Sequence, residues 1–329
     1  MQDGPPDTPN EEDRTTARLI AALRDPDEHV RAGAAYDLAD VAYGPAQADV
    51  TPVVDALIPL LADPIGDVRA NTAYALSHLA DACDVPAAEA LLPLLADPDP
   101  VARMHAAQAI GRLAYPLALE PLLDLLKDED AGVREYAAQY GFCMLGEVAC
   151  QRLLAALADA HGEVRAGAAV ALGSLVSRDA LWAVSESMIG RYPYALSDAG
   201  KTRVVDALIA ATEDTDGLVR CRAIGALGWQ GDLRTASVLV QALADADPDV
   251  RVAAVDGLHQ CGVRAAASLL VGMLADASLA VRLHAVTALG DLGDEQALTA
   301  LQVVQWHDGD AGVREAANQT IARLQGANP

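Results

Sequence analysis

One short string governs what this chain can fold into. Asp, four variable residues, Val (or a close substitute) and Arg recur nine times in 329 residues. The pairs are Asp25/Arg31, Asp63/Arg69, Asp97/Arg103, Asp128/Arg134, Asp159/Arg165, Asp214/Arg220, Asp245/Arg251, Asp276/Arg282 and Asp308/Arg314. Successive arginines lie mostly about 31 residues apart. Most are followed by something close to R-x-x-A-A-x-A-L-G-x-L-G, as in RAGAAVALGSLV from Arg165 and RLHAVTALGDLG from Arg282. Apolar stretches such as ALIPLLAD, EPLLDLLKD and VLVQALAD precede the Asp. Self-similarity at such a period means stacked supersecondary units, none of which buries its apolar face alone.

Composition decides what the unit is made of. Apolar residues are 52% of the chain but aromatics only 4%, with a single Phe, Phe142. Ala alone is about a fifth. Ala favours helices and their close packing, whereas sheets favour β-branched and aromatic residues. The unit is therefore a pair of helices. Asp sits where an N-cap is wanted, with Pro in the first helical position at Asp25-Pro26, Asp63-Pro64 and Asp97-Pro98. In the fifth unit Val164, Ala168, Leu172 and Leu175 recur at helical spacing as the buried stripe. Small residues at Ala169, Ala171 and Gly173 let neighbouring helices approach. The expectation is an all-α, right-handed solenoid of about nine helix pairs over residues 16–325, carrying one extra helical insertion at about 177–201. At about 8–10 Å between helices it extends over very roughly 80–90 Å. Residues 1–15, acidic and Pro-rich, are expected to be a disordered tail, and 326–329 a short C-terminal one.

Net charge narrows the partners. With 47 acids against 23 bases, a formal −24, the chain lacks the basic surface that nucleic acid or an anionic membrane requires. Only Lys127 and Lys201 are lysines. No apolar run approaches a membrane span of roughly 18 residues, and the start lacks a signal peptide's basic and apolar regions. Five cysteines, an odd count without a CxxC pair, read as reduced thiols, so the expected location is cytoplasmic. About 21 of the 47 acids sit in the inter-helix turns, so the charge is mostly a ridge along one edge.

The array resembles HEAT repeats, of the short, about 31-residue kind found in phycobilisome-lyase-like proteins. The resemblance implies that the Asp and Arg six residues apart form a hydrogen-bonded ladder between neighbouring repeats, here through Asp63, Arg69, Asp128, Arg134, Asp159, Arg165, Asp245, Arg251, Asp276 and Arg282. It also implies that second-helix positions one, two, five and nine after each Arg line a concave surface. Function is left open, since such arrays serve as scaffolds, cofactor-attaching enzymes and nucleic-acid enzymes alike. HEAT-type iron hydroxylases hold metal with His-Glu dipeptides, and this chain has none. HEAT-like DNA glycosylases use a basic groove, which this face lacks.

Three departures from the repeat carry the functional reading. The Arg165–Arg220 interval holds about twenty-four extra residues, Ser177–Lys201, with a Tyr-Pro-Tyr loop at Tyr192–Tyr194. A decayed repeat packed as an extra helix and a binding loop both fit it. The fourth unit, REYAAQYGFCMLG from Arg134, puts Tyr140, Gly141, Phe142, Cys143 and Met144 where the consensus has Ala and Leu. This is either a pocket wall or core packing around a one-residue slip. The third departure is the set of positions that the resemblance places on the concave surface, which hold about a third of the aromatics and nearly half the His. They include Tyr36 and Asp40; Asn71, Tyr74 and His78; His105, Gln108 and Arg112; Tyr136 and Gln139; then Arg222, Trp229, Asp256, His284 and Asp291. Tyr, Trp, His and Arg anchor partners, and the stretch from Tyr36 to Gln139 is the densest.

Phosphate-binding loops, nucleophile elbows and H-E-x-x-H helices are absent. A metal shared by His78 and His105 falls short of the three or four ligands zinc normally takes. Cys143 near His105 fits a small core residue better than a nucleophile. The leading expectation is a non-catalytic scaffold that binds a protein or peptide, with no cofactor, metal, nucleic acid or membrane. The alternative is a small-molecule or lyase-like site near residues 136–144 and the insertion. A weaker one is an acidic neutraliser of a basic partner.

Overall fold

The computed structural model describes residues 11–40, 50–79, 84–142, 145–176, 196–228, 233–261, 266–292 and 297–325. Within these the chain forms eighteen α-helices and no strand. They group into two compact units, one ending at Ala149 and the other starting at Cys150.

In the first unit the helices run in pairs: α1 (Glu11–Ala22) and α2 (Glu28–Leu38), α3 (Thr51–Leu57) and α4 (Gly66–Leu79), α5 (Val85–Leu91) and α6 (Pro100–Leu113), α7 (Leu119–Leu125) and α8 (Ala131–Tyr136). Helix α9 (Gly146–Ala156) begins here, and α10 (Gly162–Val176) belongs to the second unit. There the pairs continue as α11 (Asp198–Ala211) and α12 (Gly217–Gly228), α13 (Leu233–Ala242) and α14 (Pro248–Gln260), α15 (Ala267–Met273) and α16 (Leu279–Asp291), α17 (Leu298–His307) and α18 (Ala311–Leu324). Helix α1 starts at Glu11, inside the stretch predicted to be tail, because it packs on α2 and α3.

The first helices of two pairs are shortened by proline. Pro59 and Pro93 lack the N–H that would continue α3 and α5, so the chain tightens into 3₁₀ turns over Ile58–Ala62 and Leu92–Ala96. The strongest packing is between successive second helices, α2 on α4 on α6 in the first unit and α10 on α12 on α14 in the second. Between and beneath them lie Leu57, Leu76, Leu91, Ile110 and Leu122, all fully buried. Val164, Ala168 and Leu172 are buried as the stripe requires, while Leu175 is only half-buried.

Glycine spacing sets how near these helices come. A Cβ on Gly173 would lie 2.6 Å from the Ala226 Cβ, and one on Gly228 would lie 2.6 Å from the Gly257 Cα. In each case the residue eight after one Arg meets the residue six after the next. In the first and last described second helices a polar residue replaces one of the repeat's apolar residues. Asp37 takes the position six after Arg31, where Ala75, Ala109 and Ala171 follow in later units. Asn318, exposed, takes the place of buried Val255 and Val286.

The repeated Asp is not the helix cap that the sequence suggests. Its carboxylate accepts the N–H two residues on, as in Asp27 N to Asp25 Oδ1 at 2.9 Å and Asp247 N to Asp245 Oδ1 at 2.8 Å. The residue two further along does the capping: Asp27, Asp99, Asp130, Asp247 and Asp310 for α2, α6, α8, α14 and α18. Pro26, Pro64 and Pro98 therefore sit in the turn rather than at the first helical position, a placement their fixed φ suits equally well. The repeated carboxylate is claimed by an arginine instead. Arg251 donates from Nη1 to the Asp245 carbonyl of its own unit at 2.9 Å, and from Nε and Nη2 to both Asp276 oxygens of the next at 2.8 Å. Arg31 to Asp63, Arg69 to Asp97, Arg165 to Asp214, Arg220 to Asp245 and Arg282 to Asp308 repeat that fork. Arg103 makes only one such bond, Nη2 to Asp128 at 2.8 Å, and its buried Nε has no partner among the described residues. Arg134 donates from Nη1 to the Asp128 carbonyl, and Asp159 accepts from His161 N.

The fork from Arg165 to Asp214 crosses the inserted residues without distortion, and α10 packs directly on α12. Among the described residues no helix pair is intercalated between them. Residues 177–195, including Tyr192–Tyr194, lie outside the described residues.

Candidate functional site

The second helices of the first unit carry a connected row of rings. Tyr36 on α2 stacks on Tyr74 of α4, centroids 5.3 Å apart and planes 9° from parallel. Tyr74 meets His78 one turn along at 4.5 Å and His105 of α6 edge-on at 5.3 Å. His105 in turn meets Tyr136 of α8 at 6.1 Å and 87°. These are the separations and tilts that ring quadrupoles favour. The row is built by repeat register: Tyr36 and Tyr74 lie five residues after their Arg, His105 and Tyr136 two after theirs. Tyr36 is 51% exposed and the other rings are half-buried, so the row is a ridge of the surface rather than core.

Its last member owes its place to an irregular turn. Over Ala137–Gly141 the helix that begins as α8 widens to a π turn, which takes up one extra residue. Gly141 then falls where other repeats have Ala, close against Gly111, and Phe142 drops into the slot that Leu172 fills one unit later. Phe142 is fully buried. The aromatic cluster of this unit is thus core packing around a one-residue slip as far as it is described. Cys143 and Met144 lie outside the described residues. The slip also swings Tyr140 beside Tyr136, centroids 4.9 Å apart, and lengthens the row. Reading by fixed offset from Arg134 misses Tyr140, and the displaced Gly-Phe pair was the available signal.

Burial disfavours protonation of both imidazoles in the row. Burial pushes His105 below the ordinary histidine value, and burial likewise lowers His78. The His78 Nδ1 lies 2.9 Å from both the Tyr74 carbonyl and the Ser77 hydroxyl. Gln108 Oε1 lies 3.5 Å from His105 Nδ1, a long contact. Asn71 is not offered to a partner: its Nδ2 donates to the Ala32 carbonyl at 3.0 Å and ties α4 to α2. Arg112 is half-exposed on α6 near enough to His78 to oppose its protonation. Gln139 is half-exposed within the π turn.

The remaining candidates fall elsewhere. Arg222 is half-exposed on α12 of the second unit, and Trp229 lies outside the described residues. Among the described residues the equivalent face there carries polar pairs: Asp256 with His284 at 2.7 Å, and Asp291 with Arg323 at 2.7 Å and His259 at 3.6 Å. A crevice of about 210 Å³ in that unit is lined by Arg220 and Asp245, so it belongs to the ladder. Among the described residues no three His, Cys, Asp or Glu gather where a metal ion would bind, and no helix is long and apolar enough to cross a membrane.

Stacked helix pairs joined by an Asp–Arg ladder define the class. The HEAT-repeat family model matches residues 54–143, 88–173, 194–246 and 236–322, and the chain belongs to that family. Among solved structures it is similar to YibA of Escherichia coli (19% identity, 92% of this chain and 98% of that one, TM-score 0.43). It is also similar to the complex of CpcE and CpcF of phycocyanin lyase from Nostoc sp. PCC7120 (20%, 100% and 99%, 0.38). A third is human deoxyhypusine hydroxylase (21%, 95% and 96%, 0.35). At these values the likenesses concern the fold and carry nothing about activity. No curated protein matches the chain.

Proposed function

We propose that this chain is a non-catalytic scaffold that holds a protein or peptide against the second-helix face of its first four repeats. HEAT repeats generally mediate protein interactions. The observation that carries the reading is the ring row from Tyr36 through Tyr74, His105 and Tyr136 to Tyr140. Rigid aromatics offer large contact area at low entropic cost, and clustered ones form the hot spots of interfaces. The acidity does not by itself argue for a basic partner, because most repeated Asp carboxylates are held in the forks described above.

The test is affinity capture from a cell extract with wild type, Tyr74→Ala and His105→Ala as baits, read by mass spectrometry. Each truncation removes ring contacts worth about 0.5–1.5 kcal/mol per pair, so circular dichroism checks that both variants stay folded. Loss of a hot-spot ring weakens binding by about 2 kcal/mol, roughly thirtyfold. A retained set that is identical for all three baits refutes the proposal.

A further inference from the structure

We infer that the ligand of this face is an extended peptide bearing a basic side chain and an acidic group about five to six residues apart. This rests on the scaffold reading and adds the charge pattern to it. Beside the ring row runs a second row, nine residues after each Arg: Asp40, then His78, then Arg112. Asp40 is exposed, Arg112 half-exposed, and neither is hydrogen-bonded or ion-paired to a described residue. Both act on the imidazole between them, Arg112 opposing its protonation and Asp40 favouring it, so the two charges flank His78.

The second unit shows what the same register does when opposite charges are one repeat apart. Asp291 and Arg323 also lie nine after their arginines, on neighbouring helices, and they bond at 2.7 Å. In the first unit the acid and the base are two repeats apart, with His78, half-buried, at the same register position between them. They cannot reach each other and remain available to a ligand. Two interhelical spacings of about 8–10 Å separate them by roughly 16–20 Å. An extended peptide rises about 3.3 Å per residue, so it spans that distance in five to six residues. Its cation would lie at the Asp40 end, where Tyr36 presents its exposed ring and Gly33, one turn back, leaves open space. Its acid would meet the Arg112 guanidinium, and its backbone would cross the rings between.

The experiment selects a displayed library of random ten-residue peptides on the full chain, then measures the best synthetic binder by fluorescence anisotropy. Expected are binders with Lys or Arg and Asp or Glu five to six positions apart. Arg112→Glu should weaken such a peptide about tenfold, since it turns an attraction into a repulsion, and changing the peptide's acid to Lys should recover the loss. Asp40→Lys should act likewise on the basic residue. Binders that depend on Tyr74 but show no charge spacing, or keep their affinity in both charge-reversal variants, overturn the inference and leave the scaffold reading standing. Binders indifferent to Tyr74→Ala, or no binder at all, overturn both.

Discussion

Gly225 and Gly228 stand three residues apart on α12, in a run, GALGWQG, that gives no reason to treat them differently. Replacing each by Ala should move stability in opposite directions. Ala is about 1 kcal/mol better than Gly in a helix interior. At Gly225 an added Cβ meets nothing within 4 Å, so that preference is realised and the variant should gain about 0.5–1 kcal/mol. At Gly228 the same methyl would lie 2.6 Å from the Gly257 Cα, which is backbone and cannot rotate away. Ordinary contact begins near 3.4 Å, so α12 and α14 must part by most of an ångström. Overpacking of this kind costs about 1–3 kcal/mol, leaving a net loss of up to roughly 2 after the helix preference is credited. Thermal unfolding followed by far-ultraviolet circular dichroism should therefore put Gly225→Ala above wild type and Gly228→Ala several degrees below it. Equal Tm values for the two variants would refute the claim that backbone approach, rather than helix preference, sets the role of these glycines.

Two further outcomes follow from the ladder and the π turn. Deleting Tyr140 leaves Gly141 and Phe142 in the register of the other repeats, so the helix should close to regular α with stability within about 1 kcal/mol of wild type; insoluble or unfolded protein would contradict the slip. For pH, the Arg251 hydrogen bonds hold the Asp276 carboxyl below its ordinary value, as Arg220 does for Asp245. A depressed folded value means stability that is present above the unfolded aspartate value, about 3.9, and is lost as pH falls through the folded one. Asp276→Asn should cost about 1–2 kcal/mol at pH 7 and shrink the acid-induced loss measured by urea unfolding at pH 3 and 7; an unchanged acid limb would show that this rung is not among its causes.

Much of the fold is legible because each repeat states it again. The Asp-to-Arg interval, the Ala-rich second helix and the small residues six and eight after Arg recur often enough to cancel local exceptions. The cap differs from the sequence expectation for a physical reason: Asp serves equally as an N-cap and as the first residue of an Asx turn. Which one it does depends on the neighbouring unit's arginine, a partner 25 to 49 residues away. Candidate binding positions were legible as offsets from each Arg, and Tyr36, Tyr74, His105 and Tyr136 do meet. Tyr140 was not, because one added residue changes every later offset in its helix.

The sequence by itself determined that this chain is a stack of helix pairs, since a periodic apolar stripe has no other way to be buried. It also determined which residue types face outward from each second helix. Only the tertiary structure decided which of those side chains are spent and which remain. Asn71 is consumed by the Ala32 carbonyl, Asp291 by Arg323, and Phe142 by the core, while Asp40 and Arg112 are held apart. The reason is distance. Hydrogen bonds and ion pairs act over a few ångströms between neighbouring repeats, and a linear spacing rule does not say which neighbour lies within reach.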